Sequence, residues 1–235
     1  MEYKSLVVGS SSGIGLAITQ KLLRSNHQVT GISRRDITLN NKNYTHVNSD
    51  VSTNNFMHII NSKIDLVSYT NLIFCVGINK ICLAKDYDRE DIENLLNTNL
   101  IPAIIISNEF AKSRKVSSHS SILFIGSIWS SFGLPGRSVY GATKSALTGF
   151  SRHLSAELSP INCFVNVLSP GFTDTKLTER TINDPLIKKS LNRVYHQKLL
   201  KTEDIALHAM MLLRPNNKCI TGQEIFTDGG FAGHA

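Results

Sequence analysis

Seven short apolar runs, separated by longer stretches of helical periodicity, leave this chain few possible architectures. The runs are Ser5–Val8, Gln28–Ile32, Tyr44–Val47, Leu72–Val76, Ser121–Ile125, Cys163–Leu168 and Glu224–Thr227. Several are apolar throughout rather than alternating, as strands covered on both faces should be. Between the first two, Ile14, Ile18 and Leu22 recur every four residues, with Gln20, Lys21 and Arg24 turned outward. Ile205, Ala209 and Leu212 repeat the pattern near the end, after Thr202 as a candidate N-cap. Alternation of this kind predicts an α/β fold, a doubly wound parallel sheet of about seven strands with helices on both faces. The 235 residues show no repeat, low-complexity tract or linker, so one domain is expected over 1–235.

Composition narrows the function classes. A chain with 41% hydrophobic and 18% charged residues is not largely disordered. Lys and Arg number 25 against 18 acidic residues, a net charge of +7. Nucleic acid, an acidic membrane, or a phosphorylated small molecule or carrier could each answer that charge. The basic residues are scattered, without an arginine-rich run, so no nucleic-acid partner is expected. Cys75, Cys82, Cys163 and Cys219 have no C-x-x-C spacing and sit in mostly apolar stretches. They read as buried free thiols, with no disulfide framework and no metal site. The apolar run Leu6–Val8 is too short for a signal-peptide core, and no stretch approaches the ~20 residues of a membrane span. A cytoplasmic protein without a membrane partner is expected.

The first strand runs into Gly9-Ser10-Ser11-Ser12-Gly13-Ile14-Gly15, which opens the first helix. Glycines let backbone amides approach a pyrophosphate, and the helix N-terminus adds partial positive charge. The spacing alone fits a plain turn equally well; the strand before it and helix after it favour a nucleotide site. Further on, Ser127 closes a buried strand, and Tyr140 and Lys144 follow four residues apart at the start of a helix. That spacing puts both on one helix face. A tyrosine hydroxyl titrates near 10, and a neighbouring ammonium lowers that value toward the range useful for proton exchange. Ser127 can hydrogen-bond an oxygen on which charge develops. Alone, Tyr-x-x-x-Lys would be an ordinary helix surface pair.

Together these ordered motifs resemble those of the short-chain dehydrogenases/reductases, single-domain Rossmann enzymes using NAD or NADP. The resemblance runs from Ser5 to about Gly230, with Val8 standing where the family usually has Thr. It implies that Ser127, Tyr140 and Lys144 are catalytic, joined by Asn99, with Asn97 as a nearby competitor. It implies cofactor contacts at Gly9, Ser11, Ser12, Gly13, Ile14 and Gly15, at Asp50-Val51 and Gly77, and through Tyr140 and Lys144. Pro170, Gly171, Thr173 and Thr175 match the segment that holds the nicotinamide carboxamide. Cys75 replaces a usual Asn, removing a hydrogen-bonding brace. Ser33 occupies the place of the Asp that favours NAD, and Arg34 can grip a 2′-phosphate, so NADP(H) is favoured over NAD(H). The weaker alternative is that Arg34 and Arg35 are solvated charge.

The resemblance implies hydride exchange with a small carbonyl/alcohol substrate, and a homotetramer or homodimer. Two substrate classes stay open: a 3-oxoacyl group on an acidic acyl-carrier protein, or a sugar or secondary-metabolite intermediate. A cofactor-sensing binding module is a third reading, but such relatives usually lose the Tyr or Lys. Residues 172–200 should form a lid, carrying Leu177, Ile182, Leu186, Ile187, Leu191 and Tyr195 beside Lys176, Arg180, Lys188, Lys189 and Arg193. The same segment reads equally well as an amphipathic helix pair packing on its own domain.

Overall fold

The computed structural model describes residues 3–113, 119–179, 182–192, 194–195 and 197–234. Seven strands form one sheet: β1 (Lys4–Val8), β2 (Gln28–Ser33), β3 (Tyr44–Asn48), β4 (Asn71–Phe74), β5 (Ser120–Ile125), β6 (Cys163–Pro170) and β7 (Glu224–Thr227). Their order is 3-2-1-4-5-6-7 and every pairing is parallel. Among the described residues the helices are α1 (Gly13–Arg24), α2 (Phe56–Lys63), α3 (Arg89–Asn99), α4 (Ile101–Lys112), α5 (Ser138–Leu158), α6 (Lys176–Glu179), α7 (Pro185–Leu191) and α8 (Thr202–Leu213).

The uniformly apolar strands are explained by two cores, one on each face. Leu6 and Val8 of β1 join Phe74, Phe110, Phe124, Leu147 and Leu154 on the side of α2, α4 and α5. Val7, between them, points the other way, to Ile18, Leu22, Ile73, Leu168 and Ala209 on the side of α1 and α8. A strand buried on both faces has no polar face to alternate. The edge strand β3, by contrast, is only partly buried.

Three local expectations need correction. β4 ends at Phe74, not Val76: Cys75 N still donates to Val8 O at 2.8 Å, and the chain then turns out of the sheet. Thr202 is the first residue of α8 rather than its cap; Lys201 takes that place without a side-chain bond, and Glu203 and Asp204 face the positive end of the helix dipole. Of the cysteines, Cys163 is buried, Cys75 and Cys82 are partly so, and Cys219 is exposed beside the polar turn Asn216-Asn217-Lys218.

β1 sits where the strand order reverses, with β2 on one side and β4 on the other. Ligands of open parallel sheets bind beyond the carboxyl ends of strands at that point.

Candidate active site

The crevice above β1 has two ends that share Ser12, Cys75 and Gly77 as wall residues. The turn between β1 and α1 forms its floor. Gly9 has φ +91°, and a Cβ there would lie 2.9 Å from Val76 N. A Cβ on Gly15 would lie 2.1 Å from Gly9 O. No other residue fits either place. Ser12 caps α1 by backbone position only, with no side-chain bond to the helix amides. Gly13, Ile14 and Gly15 therefore present a helix N-terminus to the crevice, suited to an anion.

One end of the crevice is lined by Gly9, Ser11, Ser33, Arg34, Asp50 and Val51. Ser33 Oγ donates to Arg35 O at 2.9 Å, which ties the turn after β2. Arg34 is exposed and reaches Asp50 at 3.6 Å. Asp50 also accepts from the Ser52 backbone and hydroxyl. Burial pushes its pKa up, but these bonds and Arg34 outweigh it and hold the carboxyl below its usual range.

The other end holds the reactive side chains. Tyr140 and Lys144, one turn apart on α5, are 6% and 4% exposed, and Ser127, just past β5, is 8% exposed. Ser127 Oγ accepts from Trp129 N at 3.3 Å. Lys144 Nζ donates to Ile125 O at 2.9 Å and lies 5.9 Å from the Tyr140 ring centroid. Gly77 allows this: its Cβ would stand 3.4 Å from Nζ. Burial lowers the Lys144 pKa to about 8. Burial raises that of Tyr140, while Ser127 and the Arg137 charge pull it down in part. The expected depression by Lys144 is not what dominates. The ammonium is directed at the Ile125 carbonyl, and desolvation outweighs the nearby charges.

Asn99, not Asn97, faces the site: Asn99 is fully buried and Asn97 exposed. Its Oδ1 accepts from Ile78 N (2.8 Å), and its Nδ2 donates to Ile78 O (2.9 Å) and Thr143 Oγ1 (3.1 Å). Pro102 explains the local backbone. It has no N–H for the Thr98 carbonyl, so the helical path breaks at Leu100 and separates α3 from α4 beside Asn99.

Pro170, Gly171, Thr173 and Thr175 line the same wall. Thr173 Oγ1 bonds Gly171 O at 3.1 Å, and Thr175 Oγ1 lies 3.2 Å from Thr178 Oγ1 at the start of α6. Lys176, Leu177 and Ile187 of the lid reach the wall, whereas Lys188 and Lys189 face outward and Tyr195 is exposed. Arg180 and Arg193 lie outside the described residues. Cys75 keeps its sheet bond despite the missing amide side chain; burial pushes its thiol up to about 12.

Trp129, Asn79 and Arg137 are wall residues that the motifs did not single out. Arg137 alone offered a sequence signal, three residues before Tyr140, where it proves to be the N-cap of α5.

A family model described as "Enoyl-(Acyl carrier protein) reductase" matches residues 8–232. The chain is 32% identical to carbonyl reductase family member 4 of Xenopus laevis over 97% of both chains. This chain is a short-chain dehydrogenase/reductase. Within that family it is 29% identical to the 3-oxoacyl-[acyl-carrier-protein] reductase FabG of Chlamydia trachomatis, over 97% of this chain and 96% of the relative. A short-chain dehydrogenase structure from Francisella tularensis superposes with a TM-score of 0.91 at 25% identity, covering 99% of this chain and all of the other. A 4-hydroxyisoleucine dehydrogenase complexed with NADH shares the fold at a TM-score of 0.90 and 24% identity, each chain 99% covered. As a member of this family, the chain is an oxidoreductase with an NAD(P)-type nucleotide site.

Proposed function

We propose that the chain is an NADP(H)-dependent reductase interconverting a ketone and a secondary alcohol. The observation that carries this reading is the convergence of Ser127, Tyr140 and Lys144 on one wall of the crevice, next to an uncapped helix N-terminus. That floor, which tolerates no Cβ at Gly9 or Gly15, fits the pyrophosphate of a dinucleotide. When bound, the reduced nicotinamide supplies the hydride that the carbonyl carbon receives.

The chain's own groups do the rest. Ser127 Oγ–H holds the carbonyl oxygen as negative charge grows on it. Tyr140 gives its proton to that oxygen. Its raised pKa keeps the hydroxyl protonated at neutral pH, which suits the reductive direction. Lys144, fixed by Ile125 O, would hold the ribose hydroxyls and place a positive charge beside the tyrosinate left behind. Asn99 keeps the Ile78 backbone and Thr143 in register beneath them. Phosphate selectivity falls to Arg34, with Ser33 offering no competing carboxylate.

The names of the comparisons differ on the bond reduced: the family model is named for a C=C substrate, the Chlamydia relative for a C=O. The hydroxyls of Ser127 and Tyr140, which share one wall of the crevice, favour an oxygen acceptor, hence C=O. A 3-oxoacyl thioester is one substrate class and a sugar or secondary-metabolite ketone the other; assembly as a dimer or tetramer belongs to the same reading. Absorbance at 340 nm tests it, with NADPH or NADH against ketones, acetoacetyl-CoA and crotonyl-CoA. Turnover of ketones with NADPH is expected. Turnover of crotonyl-CoA alone, or of nothing in the panel, would overturn the reading.

A further inference from the structure

Among the described residues, Arg137 is the one guanidinium buried in the wall of the reactive end, and no ion pair holds it there. It is 4% exposed. No carboxylate pairs with it among the described residues. Its Nε is buried and makes no hydrogen bond. The nearest acid to bear on it, Asp184, spends Oδ1 on Leu186 N (2.8 Å) and Ile187 N (3.3 Å), capping α7. Tyr87 and Tyr140 are its other titratable neighbours. Buried charges are normally paired, because leaving water without a partner is strongly unfavourable for an ion. An arginine held in that condition beside a reactive tyrosine calls for an anion that arrives with the substrate.

The position is suited to it. The guanidinium carbon lies 6.0 Å from the Tyr140 ring centroid, on the wall shared with Ser127 and Trp129. Planar guanidinium matches carboxylate bidentately.

We propose that Arg137 binds a carboxylate of the substrate, so that the preferred substrate is a short oxo acid whose carboxylate stands a few bonds from the ketone. This inference rests on the reductase reading and narrows it, favouring a free acid over a thioester, which brings no charge to this guanidinium.

The test compares 4-oxopentanoate with its methyl ester. The wild-type chain should give a kcat/KM for the acid about 100-fold above the ester, by the weight of one buried charge-assisted bidentate contact. Arg137→Met should bring that ratio to about one, and Arg137→Lys should restore part of it, whatever either change does to activity in general. Trp129 is the chain's single tryptophan and shares the wall, so its fluorescence reads binding without turnover. Saturable quenching by 4-oxopentanoate is expected in the wild type and not in Arg137→Met. No preference for the acid in the wild-type chain, equal losses for acid and ester, or quenching retained in Arg137→Met would each overturn the proposal. Arg137-dependent quenching without NAD(P)H oxidation would leave carboxylate binding at Arg137 standing, but overturn the reductase reading and with it the oxo-acid substrate.

Discussion

The two ends of the crevice are built on opposite principles. At the reactive end Tyr140, Lys144, Ser127 and Asn99 are buried; Lys144 and Asn99 are tied to backbone groups far along the chain, and Ser127 to the Trp129 amide two residues on. At the other end Arg34 and Asp50 are surface groups that meet at 3.6 Å, with the Arg34 side chain 68% exposed. The first end is fixed by folding, so each group there is coupled to stability as well as to chemistry. The second is screened by water, where ion pairs are worth little, so selectivity there can change without cost to the fold. The general lesson is that a proton has to move over a fixed short distance, whereas a phosphate has only to be attracted.

The contrast can be broken from its strong end downward. Tyr140→Phe should lower kcat by about a thousandfold, the weight of a positioned general acid, with NADPH affinity within about threefold by fluorescence titration. A near-normal kcat would remove Tyr140 from the chemistry. Lys144→Met sharpens the link to stability. Lys144 titrates near 8 in the folded chain and near its ordinary 10.5 when unfolded. The unfolded state then binds more protons between those values, so wild-type stability rises with pH across the window. Below about pH 8 the full cost of the buried ammonium is present; above 10.5 it is gone. Relative to Lys144→Met, the wild-type chain should gain on the order of 3 kcal/mol in chemical denaturation as pH rises from 8 to 10.5. A pH-independent difference would mean the ammonium is solvated.

Asn99→Ala leaves the Ile78 amide and carbonyl without their partner and should cost about 2–3 kcal/mol of unfolding free energy. Asn97→Ala, at an exposed position, should stay within about 0.5 kcal/mol. The exposed end should answer more weakly than any of the buried groups. Arg34→Ala should weaken NADPH binding about tenfold and leave NADH and the melting temperature nearly unchanged. An equal loss for both cofactors would move phosphate recognition elsewhere.

Much of the fold was legible because helix and strand periods are local. The apolar runs marked every strand within two residues at either end, and Ile18 and Leu22 marked the buried stripe of α1. The trio Ser127, Tyr140 and Lys144 was legible because a strand end and one helical turn fix it. Asn99 and Asn97 lie two positions apart within α3, so the helical period itself puts them on opposite faces: Asn99 falls one turn after Leu95 on the buried face, and Asn97 on the exposed one. The lid was not legible: Ile187 reaches the site while its neighbours Lys188 and Lys189 face solvent, a choice made by docking against the domain.

By itself, then, the sequence determined the order of elements, the glycine turn and the reactive trio, since each depends on residues within a few positions of one another. The tertiary structure alone decided what those groups meet: Lys144 with Ile125 O, Asn99 with Ile78 and Thr143, Arg34 with Asp50, and Arg137 with the Tyr140 ring but no carboxylate among the described residues. Most such meetings join elements far apart in the chain. They follow from how helices settle on a sheet, which no local period encodes.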